Sequence, residues 1–336
     1  MPAQRNICVW RLLVGVTACC AAMGGIGCQG LPAEGGETAL RISQDNATVS
    51  VFDGSRLMLH YRYTDVPMKP YVDQFVSPAG VQVLRNSPSD HKHHHALMFA
   101  LAVDHVNFWE EHLANSGRQK HKSLADVKAT VHNGIGRAGF VQELDWVGPD
   151  AEKPLLVERR AIHVVQAADL GATLVEWRCR LQTPLGKEAM VLGGSHYFGL
   201  GMRLLASMDN GGRFFNATDK LGEVVNGDQW LTPTKWCAYT AKADGKPVTV
   251  AIFDHPANLR HPAKMFTMSK PFVYLSATMN QWKEPIAVKA GKPLDLCYGV
   301  ALWDGAVDGA AVEKLYRRWL ALSAAAAETS EPTSLR

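Results

Sequence analysis

Short segments in which apolar and polar side chains alternate recur along most of this chain. Residues 57–63, Leu-Met-Leu-His-Tyr-Arg-Tyr, have the period-two pattern of a half-buried β-strand. Turn-forming clusters of Gly, Pro, Asn and Asp separate such segments, and long amphipathic helices between them are missing. The pattern therefore predicts an all-β chain, a large antiparallel double-sheet sandwich. The other alternating segments are residues 80–85, 96–103, 137–147, 155–165, 173–182, 190–205, 248–253, 272–279 and 294–303.

The last apolar pattern of the chain has helical spacing instead. Val312, Leu315, Tyr316, Trp319 and Leu320 fall on one face of a helix, and charged residues occupy the opposite face. We predict a C-terminal amphipathic helix that docks on the outside of the sandwich. Its aromatic residues are expected to pack against a sheet and not to form a cofactor site.

The N-terminus has the pattern of an export signal: a basic start, an apolar run of about 15 residues and small residues at its end. We predict a signal peptide over residues 1–28, with either ordinary cleavage or lipidation of Cys28. A flexible tether over 29–45, a single β-sandwich domain over 46–322 and a disordered tail over 323–336 are expected to follow. The protein would then be periplasmic, secreted or anchored to the outer membrane, and a lipid would be its one link to a membrane.

The charge balance bears on the kind of partner. Arg5 and Arg11 are the charged residues of the first 27, and without them 33 basic residues face 32 acidic ones. No basic stripe interleaves with aromatic residues, which argues against nucleic acid as a partner. A small molecule or a glycan is the partner that this composition allows.

The cysteines argue against a zinc knuckle, because none of those left after processing forms a CxxC pair. Besides Cys28 these are Cys179, Cys237 and Cys297. Cys179 and Cys297 lie within alternating apolar segments. We expect both to be buried free thiols.

The sharpest motif is Asp90 followed by His-Lys-His-His-His at 91–95. In an extended chain, alternation would place His91, His93 and His95 on one side, as candidate metal ligands, and His94 on the other. The sequence leaves open whether the protein binds no cofactor or one divalent metal ion. A solvated histidine-rich loop is the alternative interpretation.

A second polar cluster follows the alternating segment 248–253. It contains Asp254, His255, Asn258, Arg260 and His261 in a loop that prolines constrain. In a sandwich, loops at strand ends commonly share a rim, so we expect this cluster to meet the histidines of 91–95.

The third cluster is His196 and Arg203 on a glycine-rich segment, residues 193–203. Glycines within strands often mark bulges or close approach of a ligand. A bent strand with a hydrogen-bonded core histidine explains the same pattern.

Together these motifs resemble a large family of secreted bacterial proteins that is labelled "methane oxygenase PmoA" or of unknown function. His95 and Ala96 depart from that family, which more often has Arg and Gly there. The resemblance spans roughly residues 50–320 and implies a fold and a site location, but no reaction. The motifs that carry it are residues 69–71, 90–94, 107–109, 197–203 and 255–262.

The methane label conflicts with the sequence. The methane monooxygenase subunit of that name is an integral membrane protein, and the chain after its signal has no run of about 20 apolar residues. The fold expected instead is mutarotase-like or jelly-roll-like.

Our leading hypothesis is an enzyme that acts on carbohydrate or keto-sugar by histidine acid/base chemistry, because histidine both donates and accepts protons near neutral pH. Asp90 and Asp254 would fix the tautomers of neighbouring imidazoles. The expected catalytic residues are His93, His94, His196 and His255. The expected substrate-binding residues are Arg203, Arg260, Asn258, His261 and Trp109.

Two further points stay open. Trp109, Trp230 and Trp236 would either stack on sugar rings or belong to the core. A non-catalytic carbohydrate-binding protein and a metal-dependent oxygenase or hydrolase are the alternative functions. The latter would use His93 and His95 with His196 or His255.

Overall fold

Antiparallel strands make up most of the molecule, as the alternating segments predict. The computed structural model describes residues 40–149, 153–209 and 211–330. Its helices there are a short 3-10 helix, Ala206–Met208, and α1, Gly309–Ser330. In chain order the strands are β1 (Leu40–Gln44), β2 (Thr48–Asp53), β3 (Arg56–Arg62), β4 (Tyr71–Phe75), β5 (Leu97–Ala100), β6 (Ala102–Val103), β7 (Val106–Asn107), β8 (Arg118–His132), β9 (Ile135–Val147), β10 (Pro154–Gln166), β11 (Thr173–Gln182), β12 (Ala189–Gly193), β13 (Gly199–Arg203), β14 (Arg213–Asn216), β15 (Glu223–Asn226), β16 (Gln229–Pro233), β17 (Trp236–Ala243), β18 (Lys246–Asp254), β19 (Lys264–Met268), β20 (Tyr274–Thr278), β21 (Ile286–Lys289) and β22 (Leu294–Asp304).

The strands form two large sheets and one small one. The ten-stranded sheet has the order β1-β2-β3-β4-β5-β13-β20-β19-β16-β15, and the eight-stranded sheet the order β14-β17-β18-β22-β11-β10-β9-β8. The four-stranded sheet has the order β21-β12-β6-β7. Neighbouring strands in all three run antiparallel, so the predicted fold class is confirmed.

The two large sheets share the main hydrophobic core. Tyr61 of β3 packs on Phe140 of β9 with ring centroids 4.8 Å apart, and Phe99 of β5 contacts Trp146 of β9 at 6.1 Å. These four side chains are fully buried in one cluster, together with residues of β11 and β22. Burial of such aromatic area is the main source of stability for a sandwich.

The outer face of the eight-stranded sheet is covered by α1. Val312, Tyr316 and Trp319 are buried there against Phe253 and Trp303, in a second cluster. The predicted amphipathic helix is therefore present and docks outside the sandwich, as its apolar face requires.

Several boundaries differ from the sequence predictions. Residues 80–85 form isolated bridges and not a strand, and segment 96–103 is split between two sheets. Within the expected tether, residues 40–44 form β1, which pairs with β2. The expected tail at 323–336 is helical as far as Ser330, because α1 continues past the packed residues.

The predicted signal peptide, Cys28 and the first part of the tether lie outside the described residues. Cys179 and Cys297 are buried free thiols, as expected, and so is Cys237. In the described parts of the chain, no helix combines the length and the apolar character that a membrane span requires.

Candidate functional site

Four side chains form a row across the ten-stranded sheet. Arg203 of β13 pairs with Tyr274 of β20. Tyr274 pairs with Met268 of β19, which in turn pairs with Gln229 of β16. Residues directly opposite one another in a ladder point to the same face, so this row presents its side chains on one face.

A glycine makes room for the ring at the centre of this row. A Cβ atom on Gly201 would lie 2.3 Å from the hydroxyl oxygen of Tyr274 and 2.9 Å from its Cζ. No side chain larger than hydrogen fits between them. Gly201, part of the glycine-rich segment singled out in the sequence, thus determines where the Tyr274 hydroxyl lies.

Residues 90–95, which we call the histidine segment, lie above this face and are not extended. The backbone N–H of His91 donates to Pro88 over 3.0 Å, and that of His94 donates to His91 over 2.9 Å, so two turns follow each other. The turns bring His91, His93 and His94 to one cavity. The expectation that alternation groups His91 and His93 with His95, against His94, is wrong, because it requires an extended chain.

His95 points away from that cavity and is buried. Its Nδ1 atom lies 2.9 Å from Oδ1 of Asn86, and its Nε2 atom lies 2.8 Å from Oε1 of Glu111. The ring also stacks on Tyr71 at 4.6 Å. Both ring nitrogens are engaged in hydrogen bonds, so His95 is not a metal ligand in this arrangement.

We call the space beside these rings the histidine cavity. Its volume is about 540 Å³, within the range of about 300–1,000 Å³ that is typical of small-molecule sites. Four aromatic rings line it: Tyr197, Phe266, Phe272 and Tyr274. Its charged and imidazole side chains are Asp90, His91, His93, His94, Glu110 and His112.

Asp90 connects the histidine segment to the sheet. Its Oδ2 atom accepts a hydrogen bond from Nη2 of Arg203 over 3.1 Å. Nδ1 of His91 lies 3.2 Å from the same oxygen, without hydrogen-bond alignment. The guanidinium carbon of Arg203 also lies 3.4 Å from the ring centroid of Phe272. Asp90 thus lies beside His91, and its expected role of fixing the imidazole tautomer stays a prediction.

The loop after β7 supplies the second carboxylate of the cavity, that of Glu110. Oε2 of Glu110 lies 3.1 Å from Nδ1 of His93 and 3.7 Å from Nδ1 of His112. The side-chain oxygen of Asn107 accepts hydrogen bonds from the backbone N–H groups of Trp109 and Glu110, at 2.8 and 3.0 Å. Glu110 is therefore held in place by local backbone contacts.

Charged groups behind the cavity fix the same loop. Lys69 is fully buried, and its Nζ atom donates to Oε1 of Glu111 over 2.6 Å and to the carbonyl of Trp109 over 3.0 Å. His95 reaches the same carboxylate. The network therefore links the end of the histidine segment to the Glu110 loop.

Buried polar atoms without hydrogen-bond partners among the described residues concentrate at this cavity. Those of lining residues are Nδ1 of His91 and of His94, Oε2 of Glu110 and the hydroxyl of Tyr274. Nε and Nη1 of Arg203, which contacts Asp90 and Phe272 of the lining, lie behind them. Such atoms are rare in folded proteins because each costs roughly 1–3 kcal/mol. Their concentration in one place indicates a site for a polar ligand.

Burial controls protonation around the cavity. Burial, with the nearby histidines and Lys69 adding positive charge, lowers the pKa of His93 to about 4 and that of His94 to about 2. Burial also raises the pKa of Glu110 and of the Tyr274 hydroxyl. Both imidazoles are therefore neutral at pH 7 and can each donate one hydrogen bond and accept one.

The cluster at 254–262 does not join this site, and among the described residues it contributes none that line the histidine cavity. Oδ2 of Asp254 lies 2.6 Å from Nδ1 of His261, and its Oδ1 accepts from Asn258 over 2.7 Å. Asn258 also exchanges two hydrogen bonds with the Cys297 backbone, both 2.7 Å. These contacts close a structural loop, so the expected meeting of the two clusters is wrong.

The remaining members of that cluster also have structural contacts. Nδ1 of His255 accepts from the backbone N–H of Ala257 over 3.1 Å, and its ring lies against Trp319 of α1. Arg260 donates to the carbonyls of Met279 and Glu284 over 3.0 and 2.6 Å. His255 and Arg260 therefore do not share a cavity with the histidine segment. The catalytic role expected for His255 and the substrate-binding role expected for Arg260 have no support from the histidine cavity.

His196 lies beside the cavity without lining it. Its ring packs against Phe266, Tyr197 and Trp282 at centroid distances of 5.0 to 5.9 Å. Burial lowers its pKa. Its location is that of a packing residue behind the aromatic wall.

The tryptophans expected to stack on sugars do not face the cavity. Trp109 is fully buried and stacks on Phe198 with ring centroids 5.0 Å apart. Trp236 is buried under α1 and donates to Glu313 over 2.8 Å. Trp230 is half-buried on β16 and does not line the histidine cavity. The core interpretation holds for Trp109 and Trp236.

Two polar residues of the site, Glu110 and His112, were not predicted from the sequence. Glu110 and His112 follow Trp109 directly, and a carboxylate two residues before an imidazole was a visible signal. Phe272 and Tyr274 lay in a segment taken only as a strand. Their convergence with His91 depends on strand pairing, which the local pattern does not give.

A family model matches residues 48–317, nearly all of the described sandwich, and its description is a family of unknown function, DUF6807. The chain belongs to DUF6807. No curated protein matches this DUF6807 member. Among solved structures it is similar to a galactose mutarotase related enzyme from Lactobacillus acidophilus, at 7% identity and a TM-score of 0.31, over 80% of this chain and 99% of that one. At this level of similarity the function has to rest on the chain's own residues.

Proposed function

We propose that the protein is an enzyme that acts on a small carbohydrate bound in the histidine cavity, by moving a proton either on an oxygen of the anomeric centre or on the carbon next to a keto group. The observation that carries this proposal is the concentration, among the described residues, of buried polar atoms without hydrogen-bond partners at the histidine cavity. A protein keeps such groups when a ligand satisfies them.

The lining favours an oxygen-rich, uncharged ring compound. Tyr197, Phe266, Phe272 and Tyr274 offer apolar ring surfaces, which suit the C–H faces of a sugar. The imidazoles of His93 and His94, neutral at pH 7, offer hydrogen bonds to hydroxyl groups without attracting an anion. Both kinds of surface meet in one cavity, as carbohydrate recognition requires.

The groups divide into a proton-transfer pair and a binding wall. His91 lines the cavity with Asp90 beside it, and Arg203 holds Asp90 in turn. An imidazole with a carboxylate behind it is a common arrangement for a general base, and its alignment often tightens only when substrate binds. His94, whose pKa lies at about 2, acts as a hydrogen-bond donor and not as the base expected from the sequence.

The test is an activity screen on sugars and keto-sugars with paired variants. His91→Gln should lower kcat by about 10²–10⁴-fold, and Asp90→Asn should lower it by about tenfold or more. Substrate affinity should change little in either variant. His132→Gln, an exposed histidine on the hairpin of β8 and β9, is the matched control and should retain activity.

A binding protein is the outcome that would contradict the enzyme proposal. In that case the wild type binds sugars by calorimetry but converts none, and His91→Gln binds as well as the wild type. Loss of binding in a variant with Tyr274→Phe would then still map the ligand to the cavity.

We also propose that the protein is exported and that either Cys28 carries a lipid or cleavage occurs nearby. The basis is the sequence pattern of residues 1–28. Mass spectrometry of the mature N-terminus tests this, because lipidation requires that the mature chain begin at Cys28. An unprocessed Met1 would contradict export by this signal.

A further inference from the structure

We propose that His93, Glu110 and His112 bind one divalent first-row transition metal ion at the edge of the histidine cavity. Two imidazole nitrogens and one carboxylate oxygen lie within 4.8 Å of one another. Nitrogen and oxygen donors of this kind suit Zn²⁺, Fe²⁺, Mn²⁺ or Co²⁺.

The distance between Glu110 and His93 matches what one ion requires. Metal–ligand bonds of about 2.0–2.2 Å with tetrahedral or octahedral angles place neighbouring ligand atoms roughly 3.0–3.5 Å apart. The distance from Oε2 of Glu110 is 3.1 Å to Nδ1 of His93 and 3.7 Å to Nδ1 of His112. The His112 side chain is exposed and would have to rotate to bring the longer distance into range.

The carboxylate oxygen is the second observation that points to a cation. Oε2 of Glu110 is buried and accepts no hydrogen bond within the described chain. A buried carboxylate oxygen in that state is costly unless a positive group binds it. His93 lies 3.1 Å away, but the two atoms do not have hydrogen-bond alignment.

The ligands come from two segments that the fold already holds together. Lys69 and His95 bind the carboxylate of Glu111, the residue between Glu110 and His112. Supports of this type orient metal ligands before the ion arrives, and their loss typically costs about 10–100-fold in affinity. The histidine segment and the Glu110 loop thus form one preorganised cluster.

Three protein ligands leave at least one coordination position for water or substrate. His93, Glu110 and His112 all line the histidine cavity, so a ligand in the cavity would reach an ion held by them. A metal there would polarise a sugar carbonyl or hydroxyl oxygen. This catalytic use rests on the proposed function, whereas metal binding itself does not.

The test is calorimetric titration of the full mature chain, purified without a histidine tag and stripped with a chelator. ZnCl₂ is the probe, and MgCl₂ is the comparison for a hard cation. We expect one Zn²⁺ per chain and no saturable Mg²⁺ binding. Glu110→Gln and His112→Gln should each weaken Zn²⁺ binding by at least about 100-fold, more than the loss of a supporting residue.

His91→Gln and His132→Gln are the controls and should leave Zn²⁺ affinity within about threefold of the wild type. His112 is exposed, so its variant tests the site even if Glu110→Gln fails to fold. Absence of saturable Zn²⁺ binding would overturn the proposal. So would Zn²⁺ binding that is unchanged in His112→Gln, because the ion would then sit on the histidine segment alone.

Two further outcomes separate this proposal from the enzyme proposal. Zn²⁺ binding with the expected variant pattern, but without turnover of any sugar, supports the metal site and contradicts the enzyme. Turnover that persists in chelator-treated, metal-free protein supports the enzyme and overturns the catalytic use of the metal.

Discussion

Arg203 is buried at the end of β13, and its Nη2 atom donates to Oδ2 of Asp90 over 3.1 Å. The carboxylate is partly exposed, whereas Nε and Nη1 of the guanidinium group have no hydrogen-bond partner among the described residues. A buried guanidinium group that makes one hydrogen bond, when it can donate five, lowers the stability of the folded state. This arrangement is expected where function, and not stability, selects the residue.

We predict that Arg203→Met leaves the free energy of unfolding unchanged or increases it, by up to about 4 kcal/mol, because replacing a buried ion by an apolar side chain is often neutral or favourable. Activity should fall at least tenfold, because Asp90 loses its anchor beside His91. Urea denaturation and the sugar assay measure the two effects. Arg159→Met, on the exposed side of β10, is the control, and a loss of more than about 2 kcal/mol in Arg203→Met alone would contradict the argument.

Gly201→Ala should impair ligand binding more than it impairs folding. The new Cβ atom would lie 2.3 Å from the Tyr274 hydroxyl, so the ring has to move, at a cost of about 1–3 kcal/mol in stability. Gly193→Ala is the matched control, because a Cβ there would meet no atom of the described residues within 4 Å. Equal ligand affinity in both variants, measured by calorimetry, would show that the position of Tyr274 does not matter.

The buried pair of Lys69 and Glu111 offers a test by double mutation. Glu111→Gln removes the partner of a fully buried ammonium group, which should cost about 3–5 kcal/mol in unfolding free energy. Lys69→Met combined with Glu111→Gln removes both charges and should recover part of that loss. Additive losses in the double variant, by urea denaturation, would mean that the pair is not coupled.

The pKa of Glu176 predicts how the free energy of unfolding changes at acidic pH. Burial by itself raises its pKa, but Arg178 and Arg137 outweigh burial and lower the pKa to about 2. In the unfolded chain this carboxyl has its ordinary pKa near 4.5. Between about pH 4.5 and pH 2 the unfolded state therefore binds more protons than the folded state. The stabilisation from Glu176 is therefore complete above about pH 4.5 and is lost as pH falls towards 2.

The measurement compares urea unfolding of Glu176→Gln with the wild type from pH 6 down to pH 3. The variant should be less stable at pH 6, by about 1–3 kcal/mol, because Arg178 and Trp319 lose an ionised acceptor. The gap should narrow as the pH falls below 4.5. Glu143→Gln, an exposed carboxyl on β9, should show no such gap, and a constant gap in Glu176→Gln would exclude the ionised carboxylate as its cause.

The strands and the helix followed from local patterns. Segment 173–182 coincides with β11, and segment 294–303 lies within β22, because side chains of a strand alternate between faces at a period of two residues. The helix face of Val312, Tyr316 and Trp319 followed in the same way from a period near 3.6. Such periods depend only on neighbours in sequence, so a single chain contains them.

The chemistry of the site was predicted in part. The importance of Asp90, His91, His93 and His94 was visible from their spacing, and all four line one cavity. The direction of each imidazole ring was not visible from the sequence, because two consecutive turns replace the extended chain that alternation assumes. His95 is the consequence: its ring is directed to Glu111 and away from its neighbours.

By itself, then, the sequence determined an antiparallel β chain, its outer helix and a histidine-rich segment next to a strand. Only the tertiary structure decided which distant residues meet that segment: Glu110 and Tyr274 do, and His255 and His261 do not. The physical reason is that strand order and register are set by burial of whole faces against each other. That burial is a property of the complete core, and no local run of residues encodes it.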